Sequence, residues 1–273
     1  EGLSMHEVVA QRQFDPLYIW LDIGFLCLFA GLLLWKKKYA AILVGLFFGA
    51  VYMIVDYGVF HLLCRSRTIS EGHSLFWVLL WMSVSYGFTN FTWIWLWISK
   101  DKNLLEWSLF ILGWWFCCPL ITASFSSGTD MIFIQRTTGA YHGVMALILM
   151  VGYGALIVWN LRHFRKEQRI CIPWLLAIGI LVQLGWEAGL LLGGIRSAQL
   201  TTLAQRLQTL LINSLLETNL GMPYIYAIFI AFSCRFTERF THRKQILSFA
   251  ERIEENNAEH VRGSGVSEYL QGL

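Results

Sequence analysis

The sequence predicts an all-α integral membrane protein, a bundle of seven transmembrane helices with the N-terminus outside and the C-terminus cytoplasmic. Three observations predict it. Of 273 residues, 56% are hydrophobic and only 14% charged, with a mean hydropathy of +0.53, whereas soluble domains carry roughly 25% charged residues. Seven apolar runs, each near the roughly 20 residues needed to cross a hydrocarbon core, lie at about 17–35, 40–63, 74–99, 104–125, 137–161, 172–195 and 205–233. The breaks rich in cations alternate: Lys36, Lys37 and Lys38; Lys100 and Lys102; Arg162, Arg165, Lys166 and Arg169; Arg235, Arg239, Arg243 and Lys244. Cations are retained on the cytoplasmic side, which sets the orientation and fits a plasma or bacterial inner membrane.

Residues 1–16 form an extracytoplasmic segment in which Met5 reads as the native start and residues 1–4 as an appended piece. The first helix begins at Asp15-Pro16, since proline suits a first helical turn, and carries Asp22 four residues after Tyr18. The second holds Gly45 and Gly49, a close-packing pair, then Tyr52, Asp56, Tyr57 and His61. The third is aromatic and polar, with Trp81, Ser83, Ser85, Tyr86, Thr89 and Asn90, while Trp93, Trp95 and Trp97 near its cytoplasmic end read as an interfacial belt.

The fourth helix has no charge after Glu106 and reads as lipid-facing scaffold. After a loop over residues 124–130, the fifth opens with Arg136, Gly139, His142 and Gly143 and ends in the basic run 162–166. The sixth starts at Pro173 and carries Gly185, Gly189 and Gly193 on one stripe and Glu187 on another face, so it is expected to be enclosed and central. The seventh presents Asn213, Ser214, Glu217, Thr218 and Asn219 and a predicted kink at Gly221-Met222-Pro223. Residues 234–273 form a charged cytoplasmic tail with apolar positions suited to lying on the membrane, and residues 262–273 read as another appended piece.

Several functions are disfavoured by absence. Every lysine lies at a helix end or in the tail, so a retinal Schiff base has no candidate. There is no phosphate loop, Gly-x-Ser-x-Gly, His-Glu-x-x-His or haem-attachment motif. The six cysteines, Cys117 and Cys118 adjacent, show no metal spacing. Nucleic acid is not implied, and neither cofactor nor oligomeric state is legible.

The informative residues are carboxylates where lipid is expected. An acidic group at mid-bilayer costs about 2.5–3.5 kcal/mol on insertion scales and usually marks a site. The expected ligand-binding set is Asp56, Tyr52, Tyr86, Asn90, Trp186, Glu187, Asn213 and Glu217, in a pocket opening outward. Partners one helical turn away are expected for each acid: Tyr18 for Asp22, Tyr52 for Asp56, Gln183 for Glu187 and Asn213 for Glu217. The bland alternative is that these pairs only hold helices together.

The leading expectation is binding or transport of a small cationic or amphiphilic molecule, with protonation of a glutamate coupling release to pH. The alternative is a membrane-embedded enzyme acting on a lipid-like substrate, with Glu187, Glu217 and Asp56 as acid–base groups, or with His61 and His142 helping to hold a metal. Each histidine stands alone on its helix, so no metal is expected. A seven-helix sensor is the third possibility. The topology is checked by cysteine accessibility: Lys37→Cys and Ser127→Cys should label from opposite sides of the membrane, and labelling of both from outside would refute it.

Overall fold

The computed structural model describes residues 10–126, 128, 130–136, 141–163, 169–196, 200 and 202–240. Met5, Ser127, Gly139, Arg165, Lys166, Arg243, Lys244 and the tail from 241 onward lie outside the described residues.

The helices are α1 (Pro16–Trp35), α2 (Tyr39–Met53), α3 (Leu75–Ile98), α4 (Leu104–Phe125), α5 (His142–Arg162), α6 (Ile172–Leu192), α7 (Leu203–Leu216) and α8 (Met222–Phe240). α2 continues without a break into a π-helical segment, Ile54–Leu63, a rare wide-turned form that recurs at functional positions. Five spans are long and apolar enough to cross a membrane: Pro16–Trp35, Tyr39–Leu63, Leu104–Phe125, His142–Arg162 and Ile172–Leu192. This is a multi-pass membrane protein of helical architecture.

The single seventh helix expected over 205–233 is instead two, α7 and α8. The chain leaves the helix at Glu217, ahead of the predicted kink, and the break is closed by short-range bonds, Gly221 N to Thr218 O at 3.1 Å and Met222 N to Asn219 O at 3.2 Å. Such bonds satisfy backbone groups that lipid could not. A capping box at Thr202 and Gln205 starts α7.

The loops at one end hold a feature that helical periodicity does not reveal. Strands β1 (Ala10–Phe14), β2 (Arg67–Ile69) and β3 (Ile132–Arg136) form an antiparallel sheet in the order β1-β3-β2. Arg136, expected to open the fifth helix, lies at the end of β3, and α5 starts only at His142. Gln13 N donates to Ile195 O at 2.9 Å and Gln13 Nε2 to Gly194 O at 3.0 Å, binding the sheet to the end of α6.

The opposite end carries the basic turns. Lys37 and Lys100 sit just past α1 and α3 at φ 58° and 52°, a left-handed closure that costs non-glycine residues about 1 kcal/mol. Their cations complement the helix C-termini, and Lys38 ion-pairs with Asp101.

The most enclosed helix is α3, with 18 of its 24 residues buried, against 9 of 21 in α6, the expected centre. α3 packs against α1, α2, α4, α6 and α8, which explains its polar residues: it sees protein, not lipid. Trp93 and Trp95 are packing residues, not a belt. Trp93 Nε1 donates to Ser108 Oγ at 2.8 Å, and Trp95 meets Phe229 and Phe232 edge-on at 5.1 and 5.6 Å. α4 is half scaffold and half core, since Trp107, Ile111, Trp115 and Cys118 are buried while Leu105, Leu109 and Leu120 are exposed.

Two glycine patterns set the closest approaches. A Cβ at Gly87 of α3 would fall 2.5 Å from Gly49 Cα of α2, and one at Gly193 would fall 2.6 Å from Pro119 Cγ of α4. Gly189 of the same stripe faces Trp115. Gly87→Leu should therefore destabilise by at least the roughly 1–3 kcal/mol typical of overpacking, read as thermal unfolding in detergent. Gly31→Leu, whose Cβ meets nothing within 4 Å, should be nearly neutral, and equal effects would refute the packing argument.

Candidate functional site

The sheet delivers cations to the acids. Arg12 lies opposite Ile134, and Arg67 opposite Arg136, in the antiparallel register. Alternate strand residues share a face, so Arg12, Phe14, Arg67, Ile132 and Ile134 all belong to the face turned to the bundle, and all five are buried. Arg67 Nε donates to Asp56 Oδ1 at 2.8 Å, and its guanidinium stacks 4.4 Å from the centre of the Phe60 ring. Asp56, for which Tyr52 was the expected partner, thus has an arginine eleven residues on as an ion-pair partner. The π segment and β2 bring the two together.

A second arginine serves Glu187, which is fully buried. Arg196, in the loop after α6, ion-pairs with Glu187 through Nη1. With its amide oxygen turned to the guanidinium, Asn213 accepts from Arg196 Nη1 and Nη2 at 2.9 Å each. Asn213 is therefore an arginine ligand, a role that the expected pairing with Glu217 did not include.

Gln183 of α6 is the hub of the network. Its Nε2 donates to Glu187 Oε1 at 3.3 Å and to Glu217 Oε2 at 2.8 Å, so one nitrogen joins the two carboxylates. Its Oε1 accepts from Tyr86 Oη at 2.7 Å and from Thr218 Oγ1 at 2.6 Å. The hub places α3, α6 and the α7–α8 break around one amide whose donors and acceptor are all engaged. Glu217 and Thr218 reach it because the helix opens at that point.

Above this network lies a cavity of about 80 Å³ lined by Arg12, Tyr52, Val55, Asp56, Phe60, Arg67, Tyr86, Met145, Arg196 and Glu217. Four of the expected ligand-binding residues line it: Tyr52, Asp56, Tyr86 and Glu217. The other four lie behind the wall. Glu187 and Asn213 hold Arg196. Trp186 packs edge-on against Tyr86 and Trp115, at 5.4 and 5.2 Å. Asn90 is fully buried on α3, and among the described residues neither its Nδ2 nor its Oδ1 has a partner. Sequence reasoning missed the three arginines and Gln183 as site residues. Arg12 and Arg67 leave a trace, an arginine on the inward phase of a short alternating strand, but only if the strands themselves are recognised.

Asp22 belongs elsewhere. It accepts from Trp81 Nε1 at 3.0 Å and Trp114 Nε1 at 3.1 Å, so two indoles take the role expected of Tyr18. His61 meets Tyr57 in a tilted ring contact at 5.1 Å, and neither it nor His142 lines the cavity. Among the described residues no group of three or more His, Cys, Asp and Glu side chains is placed to hold a metal ion.

The Arg196–Glu187 pair yields a test. Losing one member of a buried pair strands the other, at about 3–5 kcal/mol. Arg196→Met should cost this much in thermal stability, and the double variant Arg196→Met with Glu187→Leu should recover a substantial part of it. Additive losses would show that the two groups are not coupled.

The chain matches no protein-family model, and comparison with curated proteins and with solved structures finds no match.

Proposed function

We propose that this protein is a membrane-embedded enzyme that performs acid–base chemistry on an uncharged, lipid-like amphiphile held in the aromatic cavity. Glu217 meets the substrate, and Glu187 is its arginine-paired second carboxylate. The chain crosses the membrane seven times, α7 and α8 together making the last pass, with the sheet end outside and the basic turns cytoplasmic.

One observation carries the reading: a single Gln183 nitrogen joins Glu187 and Glu217 beside a cavity walled by Tyr52, Phe60 and Tyr86. Two carboxylates in unlike surroundings can divide the roles of proton donor and acceptor. Here one is buried against a guanidinium and the other faces the cavity.

The charge balance supports an uncharged substrate. Arg12, Arg67 and Arg196 stand against Asp56, Glu187 and Glu217, so the site has no excess of negative charge for a cation. The packing also favours chemistry over transport. Beyond the hub the bundle is filled by Ile94, Trp95 and Leu96 of α3, all buried, with Phe229 and Phe232 of α8 against Trp95.

A second reading, a carrier or sensor that holds the same amphiphile unchanged, draws support from the ion pairs of Asp56 with Arg67 and of Glu187 with Arg196, which balance both charges without any reaction. The two readings separate on turnover. Wild-type protein in nanodiscs, incubated with a total lipid extract and followed by mass spectrometry, should deplete at least one species and form a product. Glu217→Gln should slow this at least about 100-fold, the usual scale for a lost acid–base group, while still co-purifying with the amphiphile. Wild-type turnover by Glu217→Gln would remove Glu217 from the chemistry. A bound but unaltered amphiphile would leave the carrier or sensor reading.

A further inference from the structure

The walls of the cavity differ in what lies outside them. Toward the aqueous sheet end, the roof is Arg12 and Arg67 on the inner face of the sheet, whose Phe14, Ile132 and Ile134 are buried as well. Gln13 ties that roof to Gly194 and Ile195. Toward the far end, the floor is the Gln183 hub and the aromatic packing below it.

The remaining wall is thin. It is built from Val55 and Phe60 of the π segment on one side and Met145 of α5 on the other. The π segment packs on α2 and α3, whereas α5 packs on α6, α7 and α8. The two therefore approach each other from separate halves of the bundle. Asp56 is 2% exposed, yet Val55 beside it is 40% exposed, so the wall passes from site to outer surface within one residue. Flanking it, Val59, Val144 and Ile148 are exposed and apolar, which suits lipid and not water. Phe60 and Tyr141 meet edge-on at 5.1 Å where this wall reaches the sheet, closing its aqueous edge.

We infer that the cavity loads sideways from the bilayer, through the wall between the π segment and α5 bounded by Val55, Phe60 and Met145, so that its ligand arrives dissolved in the membrane. The inference rests on the amphiphile reading above and adds the route. Both wall elements sit near the sheet end of their helices. An amphiphile entering there keeps its polar group at the level of Arg12, Arg67 and Asp56 and brings its apolar body in past Val55 and Met145. The cavity surface it meets is aromatic and thioether, adaptable to a flexible apolar body.

The test measures access and does not involve catalysis, so its failure is distinguishable from failure of the acid–base reading. The full chain, with its six native cysteines replaced by alanine and Tyr52→Cys as reporter, is reconstituted in phosphatidylcholine vesicles. Labelling by membrane-dissolved N-pyrenylmaleimide is compared with labelling by a charged, water-borne methanethiosulfonate, each rate referred to a Glu71→Cys reporter in the β2–α3 loop. The lipid-phase reagent should label the Tyr52→Cys reporter at least tenfold faster on that scale. Val55→Trp with Met145→Trp should slow it at least tenfold, and Met145→Ala, which widens the wall and guards against misfolding of the double variant, should speed it at least twofold. Equal or faster labelling by the water-borne reagent, or lipid-phase labelling indifferent to both wall variants, would overturn the lateral route.

Discussion

A carboxylate cannot be left alone in a hydrocarbon medium, and much of this structure answers that constraint. Asp56 and Glu187 are each matched by a guanidinium, from Arg67 and Arg196. Each arginine comes from outside the apolar helices, one from a strand and one from the loop after α6. The three-stranded sheet therefore does more than cap the bundle: it holds Arg12 and Arg67 on one inward face, at a depth where free side chains would turn back to water. Asp22, without a cation, uses two indole N–H groups instead.

Two departures from regular helix geometry make the site possible. The π segment turns with more residues per turn than an α-helix, so Asp56 does not lie where a rotation of about 100° per residue would put it relative to Tyr52. The break between α7 and α8 frees Glu217 and Thr218 to reach Gln183. In both places the backbone is irregular at membrane depth, which is tolerated only where protein or a water-accessible cavity surrounds it. The irregular backbone and the cavity thus coincide.

The bundle is asymmetric along its length. The half near the sheet concentrates ionisable groups and the cavity; the other half is packed by aromatic rings around α3, including Trp97 against Trp174 at 5.6 Å. Close glycine contacts between α2 and α3 and between α6 and α4 fix helices on two sides of this core. A closely packed lower half under a polar upper half fits the proposed pocket, whose reaction needs access from only one direction.

How much could be read beforehand differs by residue. Hydropathy runs and the glycine pairs are properties of short windows, so the helical multi-pass character, most helix limits and the close-packed stripes were legible in the sequence. The cost of burying Glu187 and Glu217 is likewise a property of the residue and its apolar surroundings, which is why both were picked out. The partners were not legible, because they are set across 11 residues for Asp56 and Arg67, 34 for Gln183 and Glu217, and 59 for Asp22 and Trp81. A one-turn spacing found Gln183 for Glu187 but not the indoles of Trp81 and Trp114 that serve Asp22. The sequence by itself determined that this chain is a multi-pass membrane protein with costly acids at depth; only the tertiary structure decided which arginines and which amide answer them, since strand register, the π turn and the helix break act over distances that no local pattern encodes.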